Sequence, residues 1–241
     1  MTQLTLHPAG GYHYLPHRIA FGDGVVAAAG FEIVHAAFFK PLPFAQGFDA
    51  AVAYLKSIGR PVDALCGAEL RSPKPFTNAG FAEFNNSYVA KLDAMGVRMD
   101  GVTPMTRSNV APVSTPPNEV ALYAFSYTLP SVRTQKTFVV SGAADVDDQG
   151  PVAAGDTSAE GLRTKARFVW NELAAAMQNL GVDAATVTAT NFYTAEPMHV
   201  NLLKIMHCEG LHGARWYYSL PPIEGLSFEV DVRCTYREEW L

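Results

Sequence analysis

The sequence predicts an α+β protein made of two copies of one unit, residues 1–128 and 133–241. Three observations carry that expectation. Residues 133–193 read as strand, polar loop, capped helix and strand; residues 18–70 repeat that order; and each half continues with a second helix and two strands around a Pro-Pro turn. Each unit is expected to be a mixed or antiparallel sheet with two helices on one face.

The second unit is the clearer. Thr137-Phe138-Val139-Val140 is a β-branched and aromatic run ended by Ser141-Gly142, and the polar loop Asp145 to Gly150 follows. Thr157-Ser158-Ala159-Glu160 has the S/T-x-x-E spacing that satisfies the free amides of a helix start. Leu162, Ala166, Val169, Leu173, Met177 and Leu180 then recur on one helical face, and Gly181 caps the end. Ala185 to Phe192 reads as a strand. A short helix is expected over His199 to Cys208, then strands at Ala214 to Ser219 and Leu226 to Tyr236.

The first unit follows the same plan. Arg18 to Phe21 and Val25 to Ala28 read as a hairpin about Gly22-Asp23-Gly24, ending at Ala29-Gly30, where the second unit has Ser141-Gly142. Phe31 to Phe39 is extended. Phe44, Phe48, Val52, Leu55 and Ile58 form a helical stripe closed by Gly59, and Val62-Asp63-Ala64 parallels Val182-Asp183-Ala184. Ala64 to Leu70 is the next strand. Thr77-Asn78 caps a helix carrying Phe81, Phe84, Tyr88, Leu92 and Met95, ended by Gly96. Arg107 to Val113 and Val120 to Tyr127 read as an antiparallel pair, and Thr128 to Arg133 as the linker.

Composition narrows the function. A net charge of −5 without a basic run argues against nucleic acid. Three cysteines without C-x-x-C spacing suggest neither a disulfide framework nor a zinc knuckle. The N-terminus lacks a signal-peptide pattern and no run of about 18 apolar residues occurs, so a cytoplasmic protein without membrane association is expected.

The order strand, Ser-Gly, capped helix, Leu-Gly-Val-Asp, strand resembles the RidA (reactive intermediate deaminase, YjgF) family of the chorismate-mutase-like fold, here in tandem. The resemblance is strongest over residues 137–193. It implies hydrolysis of an enamine or imine of a small carboxylated compound with release of ammonia, without metal or organic cofactor, because the imine carbon is already electrophilic. A 2-aminomuconate-type compound from aromatic degradation is the substrate it suggests best. A chorismatase-like enzyme, or a non-catalytic ligand-binding module, are the alternatives. It also implies a homotrimer, with sites at interfaces between units.

The chemistry needs an Arg that grips a carboxylate with its planar fork, and an acid–base group that places water and moves protons. The family's Asn-x-x-Tyr stands here as Asn85-Asn86-Ser87-Tyr88, and its Arg-Ser as Arg107-Ser108. Ala29 replaces the Ser of its Ser-Gly in the first unit, and the acid-bearing strand there reads Val120-Ala121-Leu122-Tyr123-Ala124, without its acid. The second unit is nearly the complement: Ser141-Gly142 is present and Glu229 in Phe228-Glu229-Val230-Asp231-Val232 takes the catalytic position. Arg107 and Asn85 of one unit are therefore expected to face Ser141 and Glu229 of another. Arg215 is a second candidate carboxylate ligand, and Tyr88, Tyr14 and His199 are candidate pocket residues. Each has a plainer reading: Arg107 as a surface ion pair, Ser141 as a turn residue, Glu229 as solvated, Asn85 as a cap, Tyr14 as core. His199, His207, Cys208 and His212 cluster in sequence, but their spacing is wider than metal sites show, and a His that polarises substrate is the better reading.

Overall fold

The computed structural model describes residues 3–16, 20–197 and 213–241. The first half supplies β1 (Thr5–His7), β2 (Tyr12–Leu15), β3 (Gly24–Ala27), β4 (Phe31–Pro43), α1 (Phe44–Ser57), β5 (Leu65–Arg71), α2 (Asn78–Met95), β6 (Thr106–Pro112) and β7 (Ala121–Pro130). The second half supplies β8 (Phe138–Ala144), β9 (Val146–Asp147), β10 (Gly150–Pro151), α3 (Ala159–Leu180), β11 (Ala189–Tyr193), β12 (Ala214–Tyr217), β13 (Ser219–Leu220), β14 (Glu229–Cys234) and β15 (Glu238–Trp240). Apart from the β9–β10 ribbon, the strands form two mixed sheets, ordered β1-β2-β3-β8-β14-β11-β12 and β13-β6-β5-β7-β4-β15.

Both sheets contain one four-strand pattern. β8-β14-β11-β12 and β4-β7-β5-β6 each have two antiparallel pairings followed by a parallel one. The ends cross over: β3 pairs β8, while β13 and β15 pair β6 and β4. Each sheet thus takes strands from both sides of residues 128–133.

Helix caps behave as their chemistry requires. Ser158 accepts from Gly161 N at 3.1 Å and Thr77 from Gly80 N at 3.1 Å. Ser158, rather than Thr157, caps α3, and Glu160 pairs with Arg163 instead of reaching back. The stripe from Leu162 to Leu180 is buried against Phe138, Val140, Val230 and Val232, so α3 covers the larger sheet. Phe48, Ala51 and Leu55 of α1, with Tyr88 and Leu92 of α2, cover the smaller sheet through Leu70, Leu122 and Phe125. The two sheets face each other between these helices.

Four expectations need correction. The first hairpin joins Tyr12–Leu15 to Gly24–Ala27; of the arm expected over residues 18–21, the described Ala20 and Phe21 are not strand. Ala29-Gly30 is a turn with Gly30 at φ +85°, whereas Ser141-Gly142 lies inside β8; the strand in the place of β8 is β4. β6 and β7 are not neighbours, because β5, buried at every residue, takes the central place between them, as β11 does between β12 and β14. Residues 128–130 belong to β7, paired with 31–33, rather than to a linker. The helix expected over His199 to Cys208 lies outside the described residues.

Candidate active site

Strand alternation builds the space between the sheets. On β14, Val230, Val232 and Cys234 pack toward α3, which turns Glu229, Asp231 and Arg233 toward the other sheet. All three are 3% exposed. Facing them from the smaller sheet are His35, Glu69, Arg71 and Ser108. Buried charge of this density is stable only when paired. Arg233 sits 3.3 Å from Glu69 and 2.9 Å from Glu238, and Arg71 lies 3.3 Å from Glu69. Asp231 is held by Ser108 Oγ at 2.7 Å, Asn191 Nδ2 at 2.8 Å and Tyr193 OH at 2.8 Å.

At one end of this layer a cavity of about 360 Å³ opens, lined among others by Arg107, Asn109, Ser141, Gly142, Glu229 and Phe81. Arg107 comes from β6, Ser141 from β8 and Glu229 from β14, so the two sheets of a single chain bring the three together. The Arg107 guanidinium carbon stands 4.5 Å from the Phe21 ring centre, 4.8 Å from Tyr88, 5.5 Å from Phe81 and 5.8 Å from Phe84. Those four rings hold the fork in place and favour its charge. Ser141 Oγ donates to Gly22 O at 2.6 Å and accepts from Arg107 N at 3.0 Å. Its hydroxyl therefore joins β8 to β6 and to the turn before β3, and so fixes the base of Arg107.

Glu229 stands over Gly142. A Cβ at 142 would meet Glu229 Oε1, so any larger residue there would push the carboxyl aside. Among the described residues nothing hydrogen-bonds the Glu229 carboxyl. Burial pushes its pKa up to about 8, Asp231 pushes the same way, and Arg107 and Arg71 only partly oppose them. Burial and the Glu69 charge likewise raise Asp231, against the pull of its hydrogen bonds. Burial would raise Glu69 too, but His35, Arg233 and Arg71 outweigh it and hold that carboxyl below its ordinary value. A buried acid protonated at neutral pH thus faces the same cavity as a caged guanidinium.

The approach to Glu229 is braced from behind. Asp145, just after β8, accepts from Ser227 N and Phe228 N, both at 3.1 Å, and its charge is met by Lys165 Nζ of α3 at 2.8 Å. Asp145 and Lys165 are 0% and 1% exposed.

Residues 4–239 match the family described as 2-aminomuconate deaminase CnbZ. The chain belongs to that family. A 2-amino-5-chloromuconate deaminase of Comamonas testosteroni is 37% identical over 252 residues, covering 99% of both chains. The expectation of a deaminase is thereby met. A chorismatase crystal structure superposes with TM-score 0.52 at 12% identity, covering 93% of this chain and 77% of its own, which shows a shared fold. The YJGF gene product of E. coli aligns to 42% of this chain and 81% of its own, with TM-score 0.29 and 12% identity.

Several expected site residues fall elsewhere in this CnbZ-family chain. Tyr14 is buried with Tyr12, Val25, Ile33 and Cys66 between the sheets, as core. Arg215 is 40% exposed and paired with Glu238 at 3.2 Å, beside a second cavity of about 250 Å³. Asn85 is on α2 with its Oδ1 buried and outside the cavity lining. Tyr88 is a wall of the Arg107 cage, and burial pushes its hydroxyl up to about 12, partly offset by Arg107. His199, His207, Cys208 and His212 lie outside the described residues. Among the described residues no group of three His, Cys, Asp or Glu side chains is placed to hold a metal. Sequence reasoning missed Phe21, Asn109 and the Asp145 brace. Asn109 had one legible signal: it stands two residues after Arg107, on the same strand face.

Proposed function

We propose that this protein hydrolyses an unsaturated, carboxylated enamine, 2-aminomuconate or a substituted 2-aminomuconate, to the corresponding 2-oxo acid and ammonia. The observation that carries the reading is the meeting of Arg107 and a protonated Glu229 on one cavity. Arg107 grips the carboxylate next to the amino carbon. Protonated Glu229 gives its proton to the enamine carbon as the nitrogen lone pair forms the iminium. Water adds to the iminium carbon and Glu229 takes the proton released. Glu229 then protonates the nitrogen; the carbon–nitrogen bond breaks, ammonia leaves, and the hydroxyl proton returns to Glu229. One enamine and one water become one oxo acid and one ammonia, with Glu229 restored.

No step calls on a metal or organic cofactor. Purified protein dialysed against a metal chelator is expected to release one ammonia per 2-aminomuconate consumed. Absence of ammonia release, or loss of activity restored by zinc, would overturn the mechanism.

The homotrimer belongs to the same proposal. Edge strands leave backbone groups for a neighbour, and aromatic residues are exposed on or beside the edge strands β12 and β15: Trp216, Tyr218 and Trp240, with Phe39 stacked on Trp240 at 5.6 Å. Light scattering is expected to give about three times 26.1 kDa, and a stable monomer would remove the trimer. The cavity itself is built within one chain. No helix of the described residues is long and apolar enough to cross a membrane. The free, buried Cys66 and Cys234 support a reducing, cytoplasmic setting, which fractionation of the producing cells would test.

A further inference from the structure

The space between the sheets opens a second time, between the edge strands β12 and β15. The cavity there, of about 250 Å³, is walled by Tyr123, Arg215, Tyr217, Arg233, Glu238 and Trp240 among others. It is not a copy of the first. Arg215 is paired with Asn191, whose amide reaches Asp231, so its side chain enters the space between the sheets. Arg107 is paired with Ala68, which packs with Phe48 and Tyr88 of the helices, and so leaves β6 on the other face. The deamination reading gives the second cavity no role.

Its accessible groups are those of a seat for an anion. Arg215 is 40% exposed and meets both oxygens of Glu238 through one nitrogen, Nη2, at 3.2 Å. The rest of that guanidinium keeps its donors among the described residues. The Tyr123 and Tyr217 rings stand 4.3 and 5.6 Å from the Arg71 guanidinium carbon, which sets a buried cation behind both phenols. Three guanidiniums, Arg215, Arg233 and Arg71, thus surround a cavity whose near carboxylates are Glu238 and Glu69. Glu239, also on the wall, is already met by Arg237 at 2.6 Å and by Tyr127 OH at 2.8 Å. Asp231 lies beyond Arg233 and is held by Ser108, Asn191 and Tyr193. Burial and Arg233 hold the His35 imidazole down to about 4, so it is neutral at neutral pH.

We propose that this second cavity binds a small planar carboxylate, gripped by Arg215 and the Tyr123 and Tyr217 hydroxyls, with its flat carbon frame against the Tyr217 and Trp240 rings. Aromatic walls favour an unsaturated or aromatic acid over a saturated one of equal charge. The site holds its ligand without turning it over. Burial would raise the Glu238 carboxyl, but Arg233 and Arg215 outweigh it and keep it below its ordinary value, so it has no proton to give.

Benzoate, and its neutral counterpart benzamide, are the probes, with calorimetry on the full chain. Wild type is expected to lose one bound benzoate per chain on Arg215→Ala. Arg107→Ala, which removes the grip of the first cavity, should retain that same site. In the Arg107→Ala protein, benzamide should bind about 10-fold or more weaker than benzoate, because it brings no charge to Arg215. Tyr123→Phe combined with Tyr217→Phe should weaken benzoate there by about fivefold or more, with both rings in place. Arg215 is partly exposed, so its removal leaves the chain folded, and the wild-type comparison stands even where Arg107→Ala does not fold. A benzoate stoichiometry that Arg215→Ala leaves unchanged, or equal binding of benzamide at the remaining site, would overturn the proposal. None of these readouts involves turnover, so the proposed reaction stands or falls separately.

Discussion

Glu229→Gln is expected to lower kcat by roughly 10²–10⁴-fold with little change in substrate affinity. Gln preserves the size of the side chain, so it still fits over Gly142, and it leaves the Arg107 cage untouched. What it removes is the proton. Burial and Asp231 keep that proton on Glu229 to about pH 8, while Arg107 and Arg71 oppose them and Asp145 adds a further push upward. The acid form is therefore present below about pH 8 and lost above it, so wild-type kcat/KM should fall on the alkaline side as pH rises through that value. Stability has the same sign. The carboxyl binds its proton more tightly folded than unfolded, so its linkage contribution is fully present below the ordinary Glu range and declines as pH rises toward 8. Gln does not titrate, and the variant should melt no lower than wild type at neutral pH. Full turnover by Glu229→Gln, or an alkaline limb that stays where it was, would reassign the acid, and Asp231 would be the next group to substitute.

Much of this site was legible through the family resemblance rather than through strand chemistry. An acid, an acid and an arginine at alternate positions of Phe228-Glu229-Val230-Asp231-Val232-Arg233 have the alternation of a half-wet strand, so the resemblance alone marked Glu229, and the structure buries all three against a second charged sheet. Arg107-Ser108 could be read as a pair, and the two residues do part company as a strand requires: Arg107 into the aromatic cage, Ser108 onto Asp231. The misreadings have a common cause. Local turn residues around 114–118 and 220–225 indicate a reversal of the chain, but not whether a central strand lies between the two arms. Crossing of β1–β3 and β15 between the halves is set by which edge has room, information that no local pattern carries. Asp145 looked like a loop acid because its partners, Lys165 and residues 227–228, are 20 and about 80 positions away. Phe81 was readable as helix stripe but not as cage, since the guanidinium it meets comes from another element.

Arg107→Ala is expected to lower kcat/KM by about 10²–10³-fold, chiefly through KM, because the guanidinium holds a carboxylate in both ground and transition states. A smaller loss in kcat should accompany it, since a substrate freed at one end presents its enamine carbon less well to Glu229. Arg107→Lys separates charge from geometry. An ammonium would still find the faces of Phe21, Phe84 and Tyr88, which lie 4.5–5.8 Å from the present guanidinium carbon, so cation–π attraction persists. It cannot offer two parallel N–H groups to one carboxylate, and rescue should remain within about 10-fold of the alanine variant. Tyr88→Phe is the control on the cage: its ring stays, and among the described residues its buried hydroxyl has no hydrogen-bond partner to lose, so activity should change by less than about threefold. A large loss in Tyr88→Phe would mean that the hydroxyl reaches substrate after all. Near-complete rescue by Lys would mean that Arg107 acts as a bare charge, and the fork, with the aromatic box that orients it, would no longer account for recognition of the carboxylate.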